Sequence, residues 1–407
     1  MQEKRSAISA IVSVLVILLI IVAGVAAYAF AYPPTNTVTQ TVAGSAQTVT
    51  NTVTSTVSGG TGSNALSGLK VGLIVPITAA DHSWNYQAEQ QIQQLQKEFG
   101  FQLSITENKF DGTSAQPVAV QYASSGDNVV ILQGIQYMVM ANSIAPQYPN
   151  TMFVCVDCTV ANYSNVYRVW WDMSDAAFVI GLMAGMMTKT NTLGLIGGGR
   201  VVSIWGGHEG FKAGALFANP SVKFTEKFEA FSWADSAGAE RDANTMYTNG
   251  ADIVFSSGDG IDVGVIASAM SQPSTPHVWA SNVYSNLSAV DPTVDKILLG
   301  SIVVNWATLF NKALNDYVSG NWHWGFVTAD MQSGIVQVQP GPTLPANVKA
   351  AALKMQGLFT LGAVVSYFQT STTTGDPVCF DTPAQCADTS LSTAAMQFNY
   401  LPSLSSL

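Results

Sequence analysis

Charged residues are scarce in this chain of 407 residues. Only 10% of them are Asp, Glu, Lys or Arg, against roughly 25% in a typical soluble domain. The 26 acidic residues outnumber the 16 Lys and Arg residues, and the formal net charge is −10. Because no basic stripe is visible, the composition argues against a nucleic-acid partner. The surface must be built largely from Ser, Thr, Asn, Gln and Gly.

Histidine is equally rare. The four histidines, His82, His208, His277 and His323, are isolated from one another in the sequence. Neither H-E-x-x-H nor G-x-S-x-G occurs, and the segment GLIGGGR has the spacing of neither common phosphate-binding loop. No catalytic set is recognisable, so we predict a protein that is not an enzyme and that needs no cofactor or metal ion.

Four cysteines form two close pairs. Cys155 and Cys158 lie in FVCVDC, and Cys379 and Cys386 lie in VCFDTPAQC. Close pairs in a protein outside the cytoplasm favour two local disulfides. A zinc site is the weaker interpretation, because the second spacing is long and no histidine lies near either pair. A bridge within CVDC requires a bend, since a regular strand would point the two side chains to opposite faces.

The N-terminal segment 1–34 is typical of a membrane anchor. Lys4 and Arg5 precede a stretch that carries no charge through Tyr32, which is long enough to span a bilayer with some tilt. The positive residues before the span predict that the N-terminus stays inside and the rest of the chain outside. A cleaved signal peptide is the alternative. The segment also resembles archaeal pilin-like leaders, which are clipped before the apolar run.

Two further segments differ in composition from a folded domain. Residues 35–68 contain no aromatic and no charged residue and are dominated by Thr, Val, Ser and Gly. Over this length a solvated, O-glycosylated stalk is favoured over a strand. Residues 368–407 are polar and interrupted by proline, and we predict a surface tail held by the second cysteine pair.

Short apolar runs alternate with helical stretches from Leu69 onward. Such alternation predicts parallel sheets covered by helices on both faces. Two successive series predict a two-lobed α/β fold, of the type I periplasmic-binding-protein kind, with a ligand cleft between the lobes. We expect lobe 1 to comprise 69–171 with part of 277–320. Lobe 2 should comprise 172–276 with part of 321–367.

Three segments of the second half carry a family resemblance. They are DAAFVIGLMAGMMTKTNTLGLIGG, GFKAGALFANPSVKF and FSWADSAGAERDANTMYTNGADIVFSSGDG. In this order and spacing they resemble the basic membrane protein family of solute-binding proteins of ABC importers, which includes the purine nucleoside receptors. The resemblance covers roughly 69–367. It implies a small-molecule ligand, a purine nucleoside or base, and an ABC permease as partner.

The resemblance also implies binding residues. The family's first loop carries Asp, Ser, an aromatic residue and Asn, and the matching positions are Asp81, Ser83, Trp84 and Asn85. In the family this aromatic stacks on the base, and an aromatic on the other lobe completes the sandwich. The segment FSWAD offers Trp233 for that role, with Phe231 as a substitute and Asp235 nearby. Each stack would contribute roughly 1–3 kcal/mol.

Three positions bear on recognition of the ribose, and a fourth on ligand contact more generally. Where the family has Asp-x-Asp-Gln, this chain has WASNVYSN, which supplies Asn282 and Tyr284. The lysine common in the family is also missing, so a nucleoside, a free base and a different polar ligand all remain open. Asp259 is a candidate hydroxyl ligand. Asp172 is either a ligand contact or a helix N-terminal residue that complements the dipole.

These features predict an extracytoplasmic solute-binding protein that is tethered to the membrane by its N-terminal helix. Three alternatives remain: a surface structural protein that forms filaments through a pilin-like helix, a ligand-sensing receptor without a transporter, and a surface hydrolase. Asn162 and Asn286 begin sequons that permit glycosylation.

Overall fold

The computed structural model describes residues 38–42, 45–49, 65–79, 83–229, 232–368 and 396–399, together with 403, 404 and 407. Two compact units are distinguished, Met1–Thr61 and Gly62–Leu407. In the first unit, strands β1 (Val38–Val42) and β2 (Ser45–Val49) form an antiparallel pair. Both strands lie within the predicted stalk 35–68, and the Thr–Val alternation of β1 favours extended backbone.

The first sheet of the second unit defines lobe 1. Its six strands are all parallel and run in the order β13-β7-β6-β5-β3-β4. The strands are β3 (Lys70–Ile74), β4 (Gln102–Thr106), β5 (Val129–Gln133), β6 (Met152–Val156), β7 (Val166–Trp171) and β13 (Phe326–Ala329). The two central strands β5 and β6 are fully buried, as expected for a sheet covered on both faces.

The second sheet defines lobe 2 and has the order β14-β12-β11-β10-β8-β9. Five strands are parallel, and β14 joins the edge antiparallel to β12. The strands are β8 (Thr192–Gly197), β9 (Lys223–Phe228), β10 (Ile253–Ser257), β11 (Trp279–Asn282), β12 (Leu298–Val304) and β14 (Val336–Pro340). The fold is therefore two-lobed α/β, with one antiparallel edge strand that the sequence pattern did not indicate.

The helices cover both sheets. They are α1 (Trp84–Phe99), α2 (Gly112–Ser124), α3 (Met138–Ile144), α4 (Ser174–Met187), α5 (Val202–Ala218), α6 (Ser236–Thr248), α7 (Asp259–Ser271), α8 (Leu287–Val290), α9 (Trp306–Val318) and α10 (Ala346–Thr360). Helices α4 and α5 pack backbone to backbone: a Cβ atom at Gly181 would lie 2.0 Å from the Phe211 carbonyl oxygen, and one at Gly214 equally close to that of Phe178. The small residues of GLMAGMM thus serve helix packing.

The chain crosses between the two sheets three times in the span from β3 to α10: after β7, after β12 and between β13 and β14. From the expected return segment 277–320, α9 is the helix that packs on lobe 1, against α1. Strands β11 and β12 of the same segment extend the sheet of lobe 2, because each pairs onward from β10. Conversely, β13 lies in 321–367 and completes lobe 1.

The chain ends lie largely outside the described residues. The described helices include none with both the length and the apolarity required to span a bilayer. Residues 1–34, the predicted anchor, are outside the described part, as are Cys379 and Cys386 of the tail. Strands β15 (Val365–Phe368) and β16 (Met396–Asn399) form an antiparallel pair, and β16 lies within that tail.

Candidate functional site

A cavity lies between the carboxyl-end loops of the two sheets. The space inside it that a water-sized sphere can occupy is about 50 Å³. Lobe 1 contributes residues at the end of β5 and β7 and residues that follow β3, β5 and β6. Lobe 2 contributes the start of α5, the segment before α6 and residues that follow β10 and β11. Ligands of parallel α/β sheets bind at this edge of the strands.

Aromatic side chains form one wall of the cavity, with Trp84 at their centre. Trp84 is the first residue of α1 and is only 7% exposed. Its indole Nε1 donates to the Gln133 backbone oxygen at 3.2 Å. Its ring makes edge contacts with Trp171, Tyr284 and Trp306, with centroids 5.4, 4.9 and 4.6 Å away. Because Trp84 and Trp171 come from lobe 1 and Tyr284 from lobe 2, the aromatic cluster spans both lobes.

Two side-chain hydrogen bonds join the lobes beside this cluster. The Ser203 hydroxyl of α5 donates to Asp157 Oδ2 at 2.8 Å. The Asn85 amide of α1 donates to Asp259 Oδ2 at 3.4 Å. Each bond pairs one lobe with the other, so the structure represents a closed arrangement of the cleft. Opening the cleft breaks both bonds.

Asp157 is a cavity residue that the sequence reasoning missed. It lies directly after β6 with a left-handed backbone (φ 61°), inside the loop closed by the Cys155–Cys158 disulfide, whose Cα atoms are 5.5 Å apart. Burial raises the pKa of its carboxyl to about 8, against the opposing effect of the Ser203 hydrogen bond. The other carboxyl oxygen, Oδ1, has no partner among the described residues. The signal in the sequence was the bend that a CVDC bridge requires.

Gln133 is the second missed residue. It ends β5, lines the cavity and has no exposed surface. Neither its amide nitrogen nor its amide oxygen has a hydrogen-bond partner in the described part of the chain. Its register partner on β6 is Val156, so Gln133 and Asp157 lie at the same edge of neighbouring strands. Buried polar groups normally have hydrogen-bond partners. The carboxyl ends of β5 and β6 are unusual because they carry buried polar atoms that have none among the described residues.

The predicted binding residues divide into two sets. Trp84, Trp233 and Asp259 line the cavity. Asn85 is fully buried and bonded to Asp259, and Ser83 is buried just before Trp84. Asp81 and Phe231 fall outside the described residues.

Three other predicted residues have local partners and are not among the residues that line the described cavity. Asp172 accepts from the backbone N–H and the hydroxyl of Ser174 at 2.9 and 2.5 Å, at the start of α4. Asp235 caps α6 by accepting the backbone N–H three residues later at 2.8 Å. Asn282 accepts from the Ser301 hydroxyl at 2.6 Å inside lobe 2. For Asp172, this is the helix N-terminal role considered as the alternative.

A buried polar triplet lies in lobe 2, next to the glycine-rich strand ends. His208 contacts Glu226 Oε1 through Nδ1 at 2.7 Å and Ser257 Oγ through Nε2 at 2.9 Å. Burial lowers the pKa of His208. Burial alone would raise the pKa of Glu226, but His208 and Lys212 hold it at about 2. The order serine–histidine–carboxylate is that of serine hydrolases. Ser257, however, is fully buried and does not line the cavity, so its hydroxyl is not presented to a substrate.

Sequence comparison links the chain to one family. Residues 69–356 match the model of the Bmp family, described as PnrA-like ABC transporter substrate-binding proteins. The chain is 30% identical to a CD4+ T-cell-stimulating antigen of Listeria monocytogenes over 141 residues, 34% of this chain and 39% of the antigen. It is 26% identical to the ABC transporter nucleoside-binding protein BmpA of Lactococcus lactis over 55% of this chain and 66% of that one. A purine-binding protein of Brucella abortus is 23% identical over 72% and 81%.

Structural comparison agrees on the fold. A solute-binding protein of an ABC transporter system from Aeropyrum pernix superposes with a TM-score of 0.64. The match covers 76% of this chain and 94% of that chain at 14% sequence identity. At this identity the likeness establishes the two-lobed architecture alone.

Proposed function

Because the chain belongs to the Bmp family of PnrA-like ABC transporter substrate-binding proteins, we propose that it binds a purine nucleoside or related nucleobase in the cavity between its lobes. The observation that supports this ligand class is the cavity wall itself. Aromatic rings from both lobes meet there, and Gln133 and Asp157 bring polar atoms without partners among the described residues to the same edge. A flat heterocycle with a polar rim satisfies both halves of such a site.

Charge favours a neutral ligand. The residues that line the described cavity include the carboxyl groups of Asp157 and Asp259 but no Lys or Arg. A buried phosphate needs cationic partners, since an uncompensated buried charge is costly. The cavity therefore favours a nucleoside or base over a nucleotide.

Ligand titration followed by calorimetry tests the proposal. We expect adenosine, guanosine, inosine or a free purine to bind, and glucose and leucine not to bind. Replacing Trp233 by Ala should weaken binding about 5- to 150-fold, which is the loss of one stack of roughly 1–3 kcal/mol. Trp233 is only half-buried, so its removal disturbs the core less than removal of Trp84.

The matched control is Trp324→Ala, because Trp324 is 56% exposed and lies away from the cavity. This variant should bind like the unmodified protein. Equal affinity of the Trp233→Ala variant and the control would remove Trp233 from the site. Absence of binding by every purine tested would refute the ligand class.

The proposal includes delivery of the bound ligand to a membrane transporter. Members of this family act outside the cytoplasm, and an ABC permease is the partner that the family implies. The uncharged stretch within residues 1–34 would tether the protein to the membrane. Alkaline extraction of membranes tests the tether: the full chain should stay in the pellet, and a chain lacking residues 1–34 should be released when it is exported by a cleavable signal.

A further inference from the structure

The amide of Gln133 is a buried group of the cavity wall, and neither its nitrogen nor its oxygen has a hydrogen-bond partner among the described residues. We propose that Gln133 determines ligand specificity by pairing with the C6 edge of a purine base, so that the site selects purines that carry an amino or oxo group at C6. The inference rests on the proposed function and deepens it. It does not depend on whether ribose is bound.

The position of the amide is fixed by its backbone. The Gln133 carbonyl accepts the Trp84 indole N–H at 3.2 Å, and β5 lies between β3 and β6 in the sheet. The residue is thus tied to the aromatic wall on which a base would stack. A side chain at the end of a central strand, next to a stacking ring, is placed to read the rim of the base.

Water does not form hydrogen bonds with the Gln133 amide in the closed arrangement. Both amide atoms are buried from a water-sized probe. Leaving a buried donor or acceptor unpaired costs free energy, so closure without a suitable ligand is penalised. The Asp157–Ser203 and Asn85–Asp259 bonds form only in the closed cleft. A ligand that pairs with Gln133 therefore removes an obstacle to closing the lobes around it.

The chemistry of an amide defines the matching edge. A glutamine amide presents one acceptor and one N–H donor side by side. Adenine offers an amino donor at C6 beside the ring acceptors N1 and N7, and glutamine pairs with such an edge through two hydrogen bonds. A 6-oxopurine offers the O6 acceptor beside the N1–H donor. Unsubstituted purine retains the ring nitrogens but lacks the group at C6, so one of the two bonds is lost.

A comparison of ligands on the unmodified protein is the first test. Adenosine or inosine should bind roughly 5- to 150-fold more tightly than unsubstituted purine riboside, the loss that follows from one unpaired buried group. The matching free bases should show the same ratio. Equal affinities would overturn the role of Gln133 and leave the proposed function standing. Binding of none of these ligands would overturn both.

The variant Gln133→Met supplies the second test. Methionine has a similar shape and cannot pair with the base, so the preference for adenosine or inosine over purine riboside should fall to near parity. The variant without ligand should unfold at the same temperature or higher, because two unpaired polar atoms are removed. Gln94→Met, the same change on the exposed face of α1, is the control and should keep the preference. A full preference in the Gln133→Met variant would contradict the proposal.

Discussion

Replacing Asp157 by Asn should stabilise the ligand-free protein at neutral pH and not at acid pH. Asn keeps the shape and still accepts the Ser203 hydroxyl, but it carries no charge. Burial raises the folded-state pKa of Asp157 to about 8, whereas an unfolded Asp titrates near 3.9. A raised folded-state pKa means that the contribution of the group to stability is full below about pH 4. That contribution is lost as the pH rises toward 8.

The magnitude follows from linkage. Each pH unit between the two pKa values costs about 1.4 kcal/mol of folding free energy, so about three units accumulate to roughly 4 kcal/mol at pH 7 as an upper value. The Asn variant avoids this cost. The free energy of unfolding of the variant should therefore exceed that of the unmodified protein by an amount that grows with pH and approaches this value near neutrality.

Urea unfolding of both proteins at about pH 4.5 and about pH 7.5 measures the difference. Glu98→Gln, at an exposed position of α1, is the control for removal of one carboxyl group and should show little pH-dependent change relative to the unmodified protein. A stability difference for Asp157→Asn that is the same at both pH values would refute the assignment of a neutral buried carboxyl group at this position.

Three further outcomes are expected. Glu226→Gln should flatten the loss of stability between about pH 4.5 and pH 2, since a folded-state pKa held at about 2 contributes stability that disappears as the pH falls; acid titration by circular dichroism checks this. Replacing Cys155 and Cys158 together by Ala should cost about 2 kcal/mol for a four-residue loop and weaken ligand binding, because Asp157 lies in that loop; calorimetry separates the two effects. Gly214→Ala should destabilise by about 1–3 kcal/mol, because its Cβ would meet the Phe178 carbonyl oxygen at 2.0 Å; urea unfolding measures it.

The site could be predicted only in part. The position of Trp84 behind the first buried strand placed it at the ligand edge, since the carboxyl ends of parallel strands share one edge. Asp172 and Asp235 occupy similar positions in sequence, yet both serve as acceptors at helix starts. In a sequence, a short polar residue before a helix is equally compatible with contacting a ligand and with accepting hydrogen bonds from the start of the helix. Gln133 gave no signal, because a polar residue ending an apolar strand is common.

The sequence alone determined the alternation of strands and helices, the two-lobed class and the family, because these depend on local periodicity and on the order of segments along the chain. The tertiary structure decided which side chains meet. Asp157 and Ser203, and Tyr284 and Trp84, are far apart in sequence and come together only when the two lobes close. The left-handed backbone of Asp157 and the approach of the two lobes bring these pairs into contact. A sequence pattern describes one segment at a time, so it does not encode the distance between two lobes.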